Sequence, residues 1–132
     1  MSKFKSSLSC TSNTKMDWLL TNGTAIDVLS IGEEVLDEER LLYVRRRVAR
    51  LLGLGSEDGP FPYVTREVME ALMVPGPLAV QNGRSYRLTA KGLRLYRALL
   101  KAVREAKGRE AVRRLEELRR RPRPLAPAAT HS

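Results

Sequence analysis

One stretch, Pro77 to Leu100, read PLAVQNGRSYRLTAKGLRLYRALL, limits the possible folds of this chain more than any other. Leu78 to Gln81 and Arg84 to Thr89 flank Asn82-Gly83. Asn-Gly between two such runs is the strongest short hairpin signal, because a type I′ turn needs positive φ at both central residues. A two-residue loop pairs Gln81 with Arg84 and Ala79 with Tyr86. Tyr86 and Leu88 then share one face, expected to be buried, while Ser85 and Arg87 point the other way. Thr89 reads as the N-cap of the helix that follows, whose apolar stripe is Leu93, Tyr96, Leu99, Leu100 and Val103. The pattern continues past Gly108 as Val112, Leu115 and Leu118, and Gly108 is either a break or a helix glycine tolerated at about 1 kcal/mol.

Upstream, the first clear helix spans about 33 to 52. Leu41, Val44, Val48 and Leu51 follow a three–four spacing, and Leu42, Ala49 and Leu52 widen the stripe. Glu33, Glu34, Asp37, Glu38 and Glu39 crowd its start, and Arg45, Arg46, Arg47 and Arg50 its end, complementing the helix dipole at both ends. Gly53 supplies a C-terminal cap. The run GLGSEDGPFP is a loop. Thr65 then caps a short helix through about Met73, with Val68, Met69, Leu72 and Met73 as its apolar face and Pro75 and Pro77 ending it. The stretch from Met16 to Gly32 fits short helices, or a helix and a strand, equally well. Residues 1–15 read as a loose Ser/Thr/Lys-rich tail, 16–118 as one domain with its core at about 35–105, and 119–132 as a disordered basic, Pro/Ala-rich tail. The fold class is mainly α with a small β-hairpin.

At SYRLTAKGLRLYRALL the chain resembles winged-helix (winged helix-turn-helix) proteins, in particular archaeal and bacterial transcriptional regulators of the MarR/PadR type. In these an aromatic-rich strand ends in L-T-x-x-G and runs into a helix, and here that element is Leu88, Thr89, Ala90, Lys91 and Gly92. The leucine plugs the core, the threonine caps the helix, and the glycine lets the helix pack closely on the hairpin. The resemblance covers roughly 35 to 105. It implies that VTREVMEAL takes the recognition-helix position and PLAVQNGRSYRL the wing, with an extended C-terminal helix beyond. Two departures stand out. No short helix is evident between the first helix and the recognition helix, so either it is replaced or the first helix lies nearer Trp18 to Ser30 and every element shifts by one. The recognition helix also offers Arg66 beside Glu67 and Glu70, and glutamate near phosphates is repelled.

Charge supplies the functional reading. The 132 residues carry 24 Lys and Arg against 15 Asp and Glu, a formal charge of +9 that favours an anionic partner, nucleic acid before membrane. On the resemblance, Arg66, Gln81, Asn82, Arg84, Arg87, Lys91 and Arg94 are the expected nucleic-acid contacts, to phosphates or the minor-groove edge. Such contacts supply affinity and salt dependence without sequence information. Double-stranded DNA is the expected partner, with RNA or a protein–protein role within a larger complex as the alternatives. The apolar stripe of the C-terminal helix exceeds what one small domain needs, which suggests a homodimer through Leu99, Val103, Val112, Leu115 and Leu118, the alternative being a helix that folds back onto the N-terminal segment.

Enzyme chemistry finds no support. His131, the only histidine, lies in the C-terminal tail, Cys10 is the only cysteine, and no nucleophile–base pair, phosphate-binding glycine loop or metal-ligand cluster appears. Neither cofactor nor metal is expected. The acidic residues from Glu33 to Glu39 complement a helix start before they suggest a cation site. No apolar run is long enough for a membrane span or a signal peptide, so a cytoplasmic location is expected. Scarce amides with plentiful Glu and Arg fit a thermophilic source.

Overall fold

The computed structural model describes residues 20–120. The residues read as a loose N-terminal tail lie outside this range, as do all but Arg119 and Arg120 of the C-terminal one. Within it are five helices and a small antiparallel sheet, in the order α1 (Asn22–Ile31), β1 (Leu36–Asp37), α2 (Glu38–Leu52), α3 (Arg66–Met73), β2 (Ala79–Asn82), β3 (Ser85–Leu88), α4 (Ala90–Lys107) and α5 (Arg109–Arg120). Mainly α with a small sheet is therefore the fold class.

Of the ambiguous segment before Gly32, residues 16–19 lie outside the described range, and the described part forms a single helix. Thr21 caps α1 by accepting from the Thr24 N–H, and nine of its ten residues are buried. A helix buried on nearly every side lies in the middle of the core, and its polar Ser30 is satisfied there by donating to the Ile26 carbonyl at 2.6 Å. The loop after α2 is pinned to its start: the N–H groups of Asn22 and Gly23 donate to the carbonyls of Gly59 and Glu57 at 2.8 and 2.9 Å, and the Phe61 N–H to that of Leu20 at 2.8 Å.

The helix expected over 33–52 begins later, at Glu38. Leu36 and Asp37 pair with Tyr86 and Ser85 of β3 instead, making a third strand that no local pattern announced. Asp37 then caps α2 by accepting from the Arg40 N–H at 2.7 Å, and Gly53 ends it at φ +69. Leu41, Val44, Val48 and Leu52 fill the buried side, whereas Leu42 is exposed. Thr65 caps α3 as expected, but its buried residues are Val68 and Ala71, and Met73 stands in solvent.

The hairpin forms one step away from the expected register. Gln81 pairs with Tyr86 and Asn82 with Ser85, so the loop is Gly83-Arg84 rather than Asn82-Gly83. Gly83 has φ +65, and among the described residues no non-glycine residue has positive φ. Positive φ at the first central position alone is the requirement of a II′ turn, which needs one glycine where I′ needs two permissive residues. The slip moves each partner by two residues, an even step that leaves every side chain on its face. Tyr86 and Leu88 are accordingly buried, with Arg87 exposed. Strand order in the sheet is β1–β3–β2.

Gly108, at φ +99, breaks the last helical pattern, and α5 folds back against α4, α2 and α1. The stripe assigned to a dimer contact is thereby consumed inside one chain. Leu99, Val103 and Leu115 are buried core residues, and Val112 and Leu118 pack partly buried against them. Of the two roles open to Gly108 in the sequence, the break is the one adopted, and it lets both halves of the stripe face one core. Arg119, expected in a disordered tail, is helical and buried; its guanidinium donates to the Tyr96 hydroxyl, and its carbonyl accepts from Arg40.

Candidate nucleic-acid interface

The wing-like hairpin and the start of α4 are held together by the Leu88–Gly92 motif. The Thr89 side chain accepts from the Gly92 N–H at 3.1 Å, while its hydroxyl reaches the Pro77 and Leu78 carbonyls at 2.7 and 3.2 Å. The Thr89 N–H also donates to Leu78, at 2.9 Å. Gly92 sits so close to the hairpin that an added Cβ would stand 2.1 Å from the Leu78 oxygen. One threonine and one glycine thus fix the angle between hairpin and helix, and with it the position of the cations on both.

Those cations fall into two groups. Arg84 in the turn, Arg87 on the outer face of β3 and Arg94 on α4 are exposed, and none forms an ion pair among the described residues. Gln81 and Asn82 are exposed beside them, with the Gln81 amide folded onto the Gly83 carbonyl at 3.0 Å. Lys91 is half-buried and donates to the Gly76 carbonyl at 3.1 Å, which ties the start of α4 to the loop before the hairpin.

Arg66 stands apart. Lys107 lies 6.0 Å from the Tyr63 ring, Lys101 is 3.1 Å from Glu67, and Lys91 contacts Gly76. These pairs run in opposite chain directions, so α3 lies antiparallel to α4 with Arg66 near Lys101. Ten residues of helix separate Lys101 from Lys91, about 15 Å. The seven residues named from the sequence therefore do not converge. Arg66, its side chain 91% exposed, faces Glu70 at 3.8 Å. Both carboxylates of α3 thus have a cation beside them, and its outer face presents little net charge to a phosphate.

Two buried contacts of charged side chains, one an ion pair and one a hydrogen bond, lie beneath the surface, and neither was anticipated. Asp27, fully buried in α1, is paired with Arg45 of α2, which also reaches Glu57 in the long loop at 2.9 Å. These carboxylates raise the Arg45 pKa although burial, the largest single influence, opposes the charge. A lone acid inside the apolar run AIDVLSI was the available signal for this pair. The second contact is Arg119 with Tyr96, whose hydroxyl is pushed above the ordinary tyrosine range by burial, against the opposing pull of the guanidinium. Among the described residues no helix is long and apolar enough to cross a membrane, and no three His, Cys, Asp or Glu side chains gather as a metal site. Comparison with protein-family models, with curated proteins and with solved structures found no match.

Proposed function

We propose that this chain is a cytoplasmic winged-helix protein that binds nucleic acid, double-stranded DNA foremost, acting as a regulator or an architectural factor. The element order supports the winged-helix reading: helix, strand, helix, helix and then a two-stranded wing, with the first strand beside the last in a sheet ordered β1–β3–β2. On this reading α1 is the first helix of the motif, α2 takes the place that looked empty in the sequence, and α3 is the recognition helix. The single observation that carries the binding reading is the group Arg84, Arg87 and Arg94. These three exposed arginines have no ion-pair partner among the described residues and are held on one rigid hairpin–helix unit. Exposed, unpaired guanidinium groups suit phosphate oxygens, to which they can bond in bidentate fashion.

The charge-balanced face of α3 favours backbone contact over base reading. The test is a salt titration of binding to a labelled duplex. The expected affinity falls steeply with salt, and reversing both Arg84 and Arg87 to Glu lowers the slope of log K against log salt by about 2, one for each lost phosphate contact. An unchanged slope in that variant would overturn the wing as the contact surface. Met73 and Glu70, both exposed on α3, favour a second reading as a protein-contact module. Partner binding that persists in high salt, with no duplex binding in low salt, would select it.

A further inference from the structure

The solvent face of α4 carries a cationic row that starts at Arg94 of the wing group and continues beyond it. Arg94, Arg97, Lys101 and Arg104 are all exposed and follow a three–four–three spacing, which places them in one row along the helix. The row is about 15 Å long at 1.5 Å per residue. Arg97 and Lys101 have carboxylate neighbours, Glu33 at 3.9 Å and Glu67 at 3.1 Å, but both pairs are solvent-exposed. Exposed pairs of this kind contribute little to stability, so a phosphate can take either cation at little cost.

The row ends in a built feature. Where Gly108 turns the chain from α4 into α5, Arg104, Arg109 and Arg113 surround an open concavity of about 400 Å³ beside Val112 and Glu116. Arg113 is committed to Glu110 and Glu117 on its own helix. Arg104 and Arg109 form no ion pair among the described residues, so two guanidinium groups are left facing one hollow. Nothing in the packing of α4 on α5 requires arginine at either position, since both are exposed.

We propose that the α4 row and this elbow form a continuation of the phosphate track, so that a duplex gripped at the wing runs along α4 and seats a backbone phosphate between Arg104 and Arg109. The proposal rests on the nucleic-acid reading above and extends it to a second site at the opposite end of α4. The 18 residues of α4 span about 27 Å. That is roughly eight base pairs at 3.4 Å per pair. A duplex much shorter than this reaches only one end of the track.

The experiment uses the full chain with labelled DNA hairpins, whose closing loop keeps the strands paired, with duplex stems of about 4 and about 20 base pairs, titrated with salt. The unaltered protein binds the longer duplex more tightly, beyond the statistical gain from extra sites. Arg104→Glu with Arg109→Glu lowers the salt slope on the longer duplex by about 2 and weakens its binding about tenfold or more, while binding of the short duplex through the wing is retained. Arg46→Glu with Arg50→Glu, two exposed arginines of α2 outside the row, is the control for net charge. Equal loss in the control and the elbow variant overturns the proposal, as does an elbow variant with unchanged slope and unchanged length dependence. In both cases the loss caused by reversing Arg84 and Arg87 still stands as the separate test of the wing. Failure of the unaltered chain to bind either duplex overturns both readings. The four substituted positions are exposed, and an unchanged melting temperature and far-ultraviolet circular dichroism spectrum verify that the variants fold.

Discussion

Gly92 is the position with the least room for change. Any side chain there would have to displace the Leu78 carbonyl, a backbone atom fixed by the Thr89 N–H and hydroxyl. Gly92→Ala is expected to cost about 3 kcal/mol, the upper part of the overpacking range, because no flexible side chain can yield. Urea unfolding measures it, and a loss below half that figure would mean the hairpin can shift on the helix. Tyr96 gives a pH-dependent counterpart. Its folded pKa lies above that of the unfolded chain, so the unfolded state loses its proton first. The resulting stability is complete below the unfolded value of about 10 and is lost as pH rises through the folded one. Tyr96→Phe should therefore lower stability at neutral pH, because buried Arg119 loses its acceptor, yet soften the decline above about pH 10. Parallel pH profiles for the two proteins would refute the assignment.

At the scale of elements, the C-terminal helix is the part whose role changes most. Packed inward through Ala111, Leu115 and Arg119, α5 is a component of the core and not a free arm. Leu115→Ala is expected to destabilise the chain by about 2–5 kcal/mol through the lost contacts and the cavity left behind. If the same stripe served a dimer instead, the melting temperature of the variant would depend on protein concentration differently from that of the parent. Melting curves over a hundredfold range of dilution separate the two. The hairpin teaches a related lesson. Asn82-Gly83 does signal the turn, but glycine takes the first central position and asparagine the last strand position, because a II′ turn fits with one glycine and β3 must also pair with β1. Arg84 is consequently at the tip of the wing and not in its strand, the more exposed of the two places.

Across the whole molecule, the buried pair of Asp27 and Arg45 joins α1 to α2, and Glu57 extends it to the long loop. Removing one partner of a buried pair leaves an uncompensated charge, so Asp27→Ala should cost about 3 kcal/mol. That is the low end of the usual range, since Glu57 still faces Arg45. Thermal unfolding checks it, and a loss within 0.5 kcal/mol, the scale of an ordinary surface change, would mean that the pair contributes little. The amino-acid sequence alone determined the caps at Thr65 and Thr89, the end of α2 at Gly53, the hairpin, the burial of Tyr86 and Leu88, and the tight approach at Gly92. Each follows from interactions within a few residues of chain, or from a glycine or threonine whose chemistry admits few alternatives. Tertiary structure alone decided that Leu36 and Asp37 become a strand, that α5 turns back at Gly108, and that Arg119 and Asp27 are buried. It also decided that Arg66 lies toward Lys101 and away from Lys91 at the start of α4. These depend on partners far away in the chain: a two-residue strand exists only because β3 has an open edge, and a buried charge is stable only where a distant side chain meets it. The cations of the hairpin could be named from their positions in the chain. Which of them stand together, and that a row on α4 leads from them to a hollow at the turn into α5, is set by how the helices pack.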